Sequence, residues 1–136
     1  LSNLKVRTQG LNNVFFPGWI DRPKIEALAE ISIASLAPYK NIVNYVVNTP
    51  NKIVDALSLG MPILSPLQGE VQRMIVKFEV GLTYNNDLES CIKKLIRDVK
   101  LQKKLSNNAK NLYHKDFEFD NIYDSFVKHL EGLANE

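Results

Sequence analysis

The sequence predicts an α/β fold: a parallel sheet flanked by helices, closing in a helical C-terminal third. Three observations predict it. Short apolar runs alternate with helical segments over most of the chain, the pattern of strands joined by crossover helices. The stretch from Thr49 to Leu64 holds one such unit, with a helix start, a glycine stop and an apolar run in succession. Beyond Asn86, apolar residues recur at spacings of three and four, as amphipathic helices require.

The elements follow in order. Leu1–Gly10 reads as the end of a helix, and Asn13–Phe16 as a strand. Pro23–Glu30 is a helix capped by Asp21 or Arg22, with Ile25, Leu28 and Ala29 turned inward. Ile31–Leu36 is a strand. Pro38–Asn48 is a loop, although Ile42–Val47 is unusually apolar. Thr49 is a suitable N-cap, and Pro50 takes the first helical position, where a missing N–H costs nothing. The helix Pro50–Leu59 stops at Gly60, which supplies a left-handed residue, and Pro62 forbids its continuation. Pro62–Ser65 is a strand, Glu70–Phe78 a helix and Gly81–Tyr84 a strand. The strand–helix–strand order predicts that Ile31–Leu36 and Pro62–Ser65 lie side by side and parallel, with a right-handed crossover. Leu88, Cys91, Ile92, Leu95, Ile96 and Val99 form an apolar stripe, with Asn86 and Glu89 as its capping box. Leu101, Leu105, Ala109 and Leu112 mark a second helix. Phe119, Ile122, Tyr123, Phe126, Val127, Leu130 and Leu133 mark a third.

The composition bounds the function. A chain of 136 residues makes one domain at most. Its net charge of +2 is too small to recruit nucleic acid or membrane by electrostatics alone. Cys91 is the only cysteine, so no disulfide framework or cysteine-based zinc site exists. No apolar run approaches the ~20 residues of a membrane span, and no signal peptide is visible. The absence of an initial Met and the abrupt opening suggest a fragment. No internal repeat, low-complexity tract, P-loop, complete G-x-G-x-x-G or nucleophile elbow is present.

The chemistry concentrates at the start of the Pro50–Leu59 helix. Its free N–H groups and the positive end of its dipole suit a phosphate. Lys52 adds a full positive charge in the first turn, an unfavourable place for the helix itself, so an anionic ligand would offset it. Asp55 follows Lys52 by three residues and Asn51 by four, on the same face, and side chains lean toward the helix N-terminus. A carboxylate one turn from a phosphate site can accept from a ribose diol; the alternative is an ordinary solvated helix residue. His114 and His129 sit in polar helical contexts without partners at metal-ligand spacing. Cys91 reads as core, and the Lys93-Lys94 and Lys103-Lys104 pairs as solvated faces. Trp19 either packs on the sheet edge or lines a nucleotide cleft.

The string P-N-K-I-V-D-A-L-S-L-G-M-P-I-L from Pro50 to Leu64 resembles the nucleotide-sugar signature of GT-B glycosyltransferases of the large retaining group. It is most similar to the surface-polysaccharide branch. Asn13-Val14-Phe15-Phe16-Pro17-Gly18-Trp19-Ile20 is similar to that family's strand and glycine turn. Ile31–Tyr39 is similar to its next strand and loop. Gly69-Glu70-Val71 and Val80–Tyr84 match its later helix start and strand. The resemblance covers nearly the whole chain and implies a Rossmann-like sheet, the C-terminal donor-binding half of a two-domain enzyme. It implies that Asp55 binds the ribose hydroxyls, and that Thr49, Pro50, Asn51 and Lys52 lie beside the diphosphate. Gly18, Trp19 and Ile20 would read the base, and Pro38 and Tyr39 would line the donor pocket, with Gly69 and Glu70 near the next loop. The donor would be a nucleoside-diphosphate sugar and the acceptor a polysaccharide or lipid-linked glycan. No metal or other cofactor is implied, and no nucleic-acid partner. The location implied is cytoplasmic, with the inner membrane face open to the full-length enzyme.

Three departures from the family pattern stand out. Val47 occupies the position, eight before Asp55, where the wider group carries a first Glu that contacts the donor sugar. Asp55 itself replaces the usual Glu. The first domain, with its acceptor site, and the opening strands of the second are absent. The isolated chain is therefore expected to be catalytically incomplete, and to self-associate or be only marginally stable through exposed strand edges. Two other functions share parts of the pattern. A nucleotide-sugar 2-epimerase of the same architecture would need an acid–base pair, for which no candidate appears. A non-catalytic flavodoxin-like or receiver-like module would need an acidic cluster at strand ends, which Asp55 on a helix does not supply.

Overall fold

A computed structural model describes residues 2–134. Leu1, counted in the first expected helix, lies outside the described residues. The chain is α/β, with a small parallel sheet and a helical C-terminal third. Its elements are α1 (Ser2–Arg7), α2 (Arg22–Glu30), β1 (Ser35–Leu36), α3 (Val43–Val46), α4 (Asn51–Ser58), β2 (Ile63–Ser65), α5 (Glu70–Phe78), β3 (Gly81–Thr83), α6 (Leu88–Arg97), α7 (Val99–Asp116) and α8 (Phe119–Ala134).

The strands lie in the order β1-β2-β3, and both pairs are parallel. Ser35 is level with Ile63, which is level with Gly81. The expected pairing of the strands around the key helix is therefore present. The ladder extends at its ends through Ala37 N–H to Leu64 O (2.9 Å) and Tyr84 N–H to Ser65 O (3.1 Å). Gly81 has to be glycine, because a Cβ there would sit 2.0 Å from the Ile63 carbonyl oxygen.

Successive residues of a strand face opposite sides, and β2 divides the core accordingly. Ile63 packs with Ala37, Ile53, Leu57, Val71, Ile75 and Val80, an assembly closed by Ala109 and Leu112 of α7. Leu64 packs on the other side with Leu95 and Leu105. Helix α4 buries Ile53, Ala56 and Leu57, the i, i+3, i+4 spacing of an inward face. Truncating a buried leucine such as Leu57 costs about 2–5 kcal/mol.

Helix α4 stops as expected. Gly60 has φ +64°. Its N–H reaches Leu57 O (2.9 Å), and the Met61 N–H reaches Ala56 O (2.9 Å). These two bonds make a Schellman closure. Helix α5 closes on Glu79, a left-handed residue at φ 50°. Helix α7 secures that turn: Lys104 Nζ lies 2.6 Å from the Glu79 carboxylate, and Asn108 donates to its carbonyl (3.1 Å).

Several expectations need correction. Asn13–Phe16 is not a strand. A strand exists only by pairing, and among the described residues this segment has no strand partner. The Ile31–Leu36 strand shrinks to Ser35–Leu36, because β2 offers partners only from Ile63 onward. The Pro38–Asn48 loop contains the helical turn α3. Helix α2 takes Asp21 as its cap, the carboxylate accepting from Lys24 N–H (3.3 Å), but it buries no residue, and Ile25 and Leu28 are exposed. Helix α6 is capped by Asp87, which accepts from Ser90 N–H (2.9 Å), rather than by an Asn86–Glu89 box. Helix α8 likewise buries nothing. Among the described residues, no helix is long and apolar enough to cross a membrane.

Candidate functional site

Parallel strands deliver their following loops to one end of the sheet, where open α/β folds bind ligands. The loop after β1 spans residues 37–50, and the loop after β2 spans 66–69. They are fastened together at three points. The buried Ser65 hydroxyl donates to Ala37 O (2.9 Å) and accepts from Leu67 N–H (3.2 Å). Asn41 donates its amide to Pro66 O (3.0 Å) and accepts from Gln68 N–H (2.7 Å). Gly69, at φ +71°, lies against Val46, where any Cβ would come within 2.2 Å of the Val46 carbonyl oxygen. Neither Ser65 nor Asn41 stood out in the sequence. The one available sign was an asparagine entering an apolar loop.

Two helices begin at this end. Helix α4 starts after Pro50, whose φ of −61° and ψ of 144° make it the extended cap residue. The expected Thr49 cap is absent: no side chain caps α4, and Pro50 stands one position before the first helical residue. Chain direction explains the shift, since an extended Pro50 leaves the Thr49 hydroxyl a residue too far back. The first turn of α4 contains no acidic residue and keeps Asn51 and Lys52 exposed. Helix α5 differs, because Glu70 occupies its first turn and pairs with Arg73. A carboxylate already complements the α5 dipole, whereas the α4 start remains open to an anion.

Pro38 and Tyr39 share this end with Thr49, Pro50, Asn51 and Lys52. Tyr39 packs on Tyr45, ring centroids 5.0 Å apart and tilted by 52°. Asp55 is exposed, one turn further into α4. Its field reaches Arg22, whose guanidinium is held in its charged form first by the hydrogen bond to Glu26 and less by Asp55 and Tyr113. Gly18, Trp19 and Ile20 are not brought to this end by any described hydrogen bond or ring contact. Gly18 has the expected turn conformation at φ +77°. Trp19 is 89% exposed, so it does not pack on the sheet edge.

A groove of about 670 Å³ lies at the opposite end of β2, lined among others by Arg22, Glu26, Ser58, Gly60, Lys103 and Lys110. Its walls mix both charges, and none of the expected donor residues enters it. Contrary to the expectation that His114 has no partner at ligand spacing, Glu118, four residues on, lies 3.1 Å from it. Cys91 is half-buried, its thiol 3.7 Å from Thr83 O. Among the described residues, no cluster of three His, Cys, Asp or Glu side chains could hold a metal ion.

The arrangement offers an uncapped helix start carrying a lysine, beside two rigidly joined loops and an aromatic pair. The helix start can attract an anion. Comparisons of the chain with protein-family models, with curated proteins and with solved structures find no match.

Proposed function

We propose that the chain is the nucleotide-sugar-binding part of a glycosyltransferase with the GT-B architecture, its three strands belonging to a Rossmann-like sheet. One observation carries this reading. The Pro50-Asn51-Lys52 string stands at the start of α4 inside a parallel β1–α4–β2 unit, facing the strand ends where such sheets take nucleotides.

In this reading the diphosphate of the donor lies against the start of α4. The N–H groups of the first turn and the Lys52 ammonium stabilise the charge that grows on the leaving diphosphate. The Asp55 carboxylate accepts from the ribose hydroxyls. Pro38 and Tyr39 border the donor, and Gly18, Trp19 and Ile20 reach the base. The sugar passes to a polysaccharide or lipid-linked acceptor, and no metal is required. Val47 supports a sugar contact that differs from the carboxylate usual in the group.

Titration calorimetry with UDP, GDP, ADP and CDP tests the reading. One of them should bind. Asp55→Asn should weaken it roughly ten- to a hundredfold, since a charge-assisted hydrogen bond contributes on the order of 1.5–3 kcal/mol. Equal affinities for the two proteins withdraw the ribose assignment. Failure of all four nucleotides to bind withdraws the function.

A further inference from the structure

The groove at the Gly60 end of α4 shares no lining residue with the loops after β1 and β2. Its volume of about 670 Å³ is that of a small-ligand site. Helix α2 contributes Arg22, Glu26 and Glu30, and α7 contributes Lys103, Ser106, Asn107 and Lys110. These charges are unevenly satisfied. Arg22 is engaged by Glu26 at 2.7 Å. Asp55 adds to the field at Arg22 from outside the groove, and the neighbouring Lys104 is held by Glu79. Glu30, Lys103 and Lys110 are exposed, and their side chains have no ion pair or hydrogen bond among the described residues.

Lys110 is placed by Gly60. A Cβ at Gly60 would lie 2.5 Å from Lys110 Cε and 2.7 Å from its Cγ, so the lysine stem lies across the end of α4 in the space that glycine leaves. Lys103 stands seven residues earlier on α7, two turns away on the same face and about 10 Å along the axis. Ser106 and Asn107 lie between the two lysines, with hydroxyl and amide groups unused among the described residues. Ser32 and Ser58 also line the groove. Their hydroxyls donate to Leu28 O (2.6 Å) and Asp55 O (2.8 Å), so toward a ligand they only accept. The groove thus offers two ammonium groups for anions, and one carboxylate with hydroxyl acceptors for a cation. A single phosphate is too compact to serve both lysines, and a dicarboxylate leaves Glu30 unmatched. An extended peptide spans about 3.3–3.6 Å per residue, so about three residues bridge the lysine spacing.

We propose that this groove binds a short acidic peptide with a free amino terminus and a carboxylate near each end. Lys103 and Lys110 receive the two carboxylates, and Glu30 receives the ammonium. Ser106 and Asn107 meet the peptide backbone between them. The site does not depend on the glycosyltransferase reading, and it uses none of that reading's donor residues.

Titration calorimetry with the tripeptide glutamyl-alanyl-alanine tests it, and this peptide should bind. Glutaminyl-alanyl-alanine lacks one carboxylate, and the N-acetylated glutamyl peptide lacks the ammonium. Each should bind about tenfold more weakly, the loss of one charge-assisted hydrogen bond. Lysyl-alanyl-alanine should not bind. Lys103→Gln, Lys110→Gln and Glu30→Gln should each weaken the glutamyl peptide about tenfold. Lys94→Gln on α6, outside the groove, should leave its affinity unchanged, and circular dichroism should show every variant folded. Absence of binding by the glutamyl peptide overturns the proposal. So does equal binding of the glutaminyl or acetylated peptide, or binding of the lysyl peptide. Affinity unaffected by the groove variants overturns it too, as does an equal loss in Lys94→Gln, which would reduce the effect to overall charge.

Discussion

Single residues set where α4 stops and how the loops after β1 and β2 are joined. Gly60 was legible, because a glycine followed by a proline two residues later leaves a helix almost no alternative to stopping. Asn41 was not, because its two partners lie 25 and 27 residues away. Thr49 misled for a local reason: proline is compatible with both the first helical position and the extended residue before it. Tyr84 yields a prediction. Burial first, and the neighbouring Cys91 second, push its phenol above the ordinary tyrosine value. The folded state thus favours the neutral phenol. That contribution is fully present below about pH 10, the unfolded value, and is lost as pH rises through the folded one. Urea midpoints followed upward from neutral pH should fall above about pH 10, and fall less steeply in Tyr84→Phe. Identical pH profiles for the two proteins would assign the alkaline loss to other groups.

Among the elements, helices were read better than strands. Their signals are internal: α4 through α7 follow from apolar spacing and from start and stop residues. A strand is a relation between two segments. Val14, Phe15 and Phe16 have the right composition, yet without a strand to pair with they form no strand, and Val14 and Phe15 stay exposed. The apolar face read for α2 failed similarly, since a face is buried only if something covers it. At α6 the reading erred by one residue, and the difference is measurable. Asp87→Ala removes the cap that accepts from Ser90 N–H and should cost about 1 kcal/mol. Asn86→Ala should change stability by less than about 0.5 kcal/mol, as exposed surface substitutions do. Chemical denaturation of the two variants decides between the caps, and a larger loss in Asn86→Ala would restore the capping box.

For the molecule as a whole, the core is compact around β2, whereas both ends of the chain expose apolar surface. Helix α8 shows Phe119, Ile122, Tyr123, Phe126, Val127, Leu130 and Leu133 to solvent, and the N-terminal part adds Phe15, Trp19 and Ile31. Strand β1 is an edge of the sheet, with Leu36 exposed. Surface of this extent drives association. Sedimentation velocity should show concentration-dependent oligomers, and Phe126→Asp with Leu130→Asp should shift them toward monomer. The same pair should leave the unfolding midpoint nearly unchanged, because α8 buries no residue. A wild-type monomer at every concentration would defeat this expectation. The sequence already implied exposed edges. It could not say that α8 would lie outside the core, since an amphipathic pattern specifies a face and leaves its cover undefined.

The contact between Gly69 and Val46 bears on any attempt to re-engineer this end of the protein. The segments leaving β1 and β2 meet backbone against backbone, so neither can be lengthened, shortened or exchanged alone without displacing the other. A graft from another protein would have to carry residues 37–50 and 66–69 together as one cassette, with Asn41 and Gly69 retained as its internal joints.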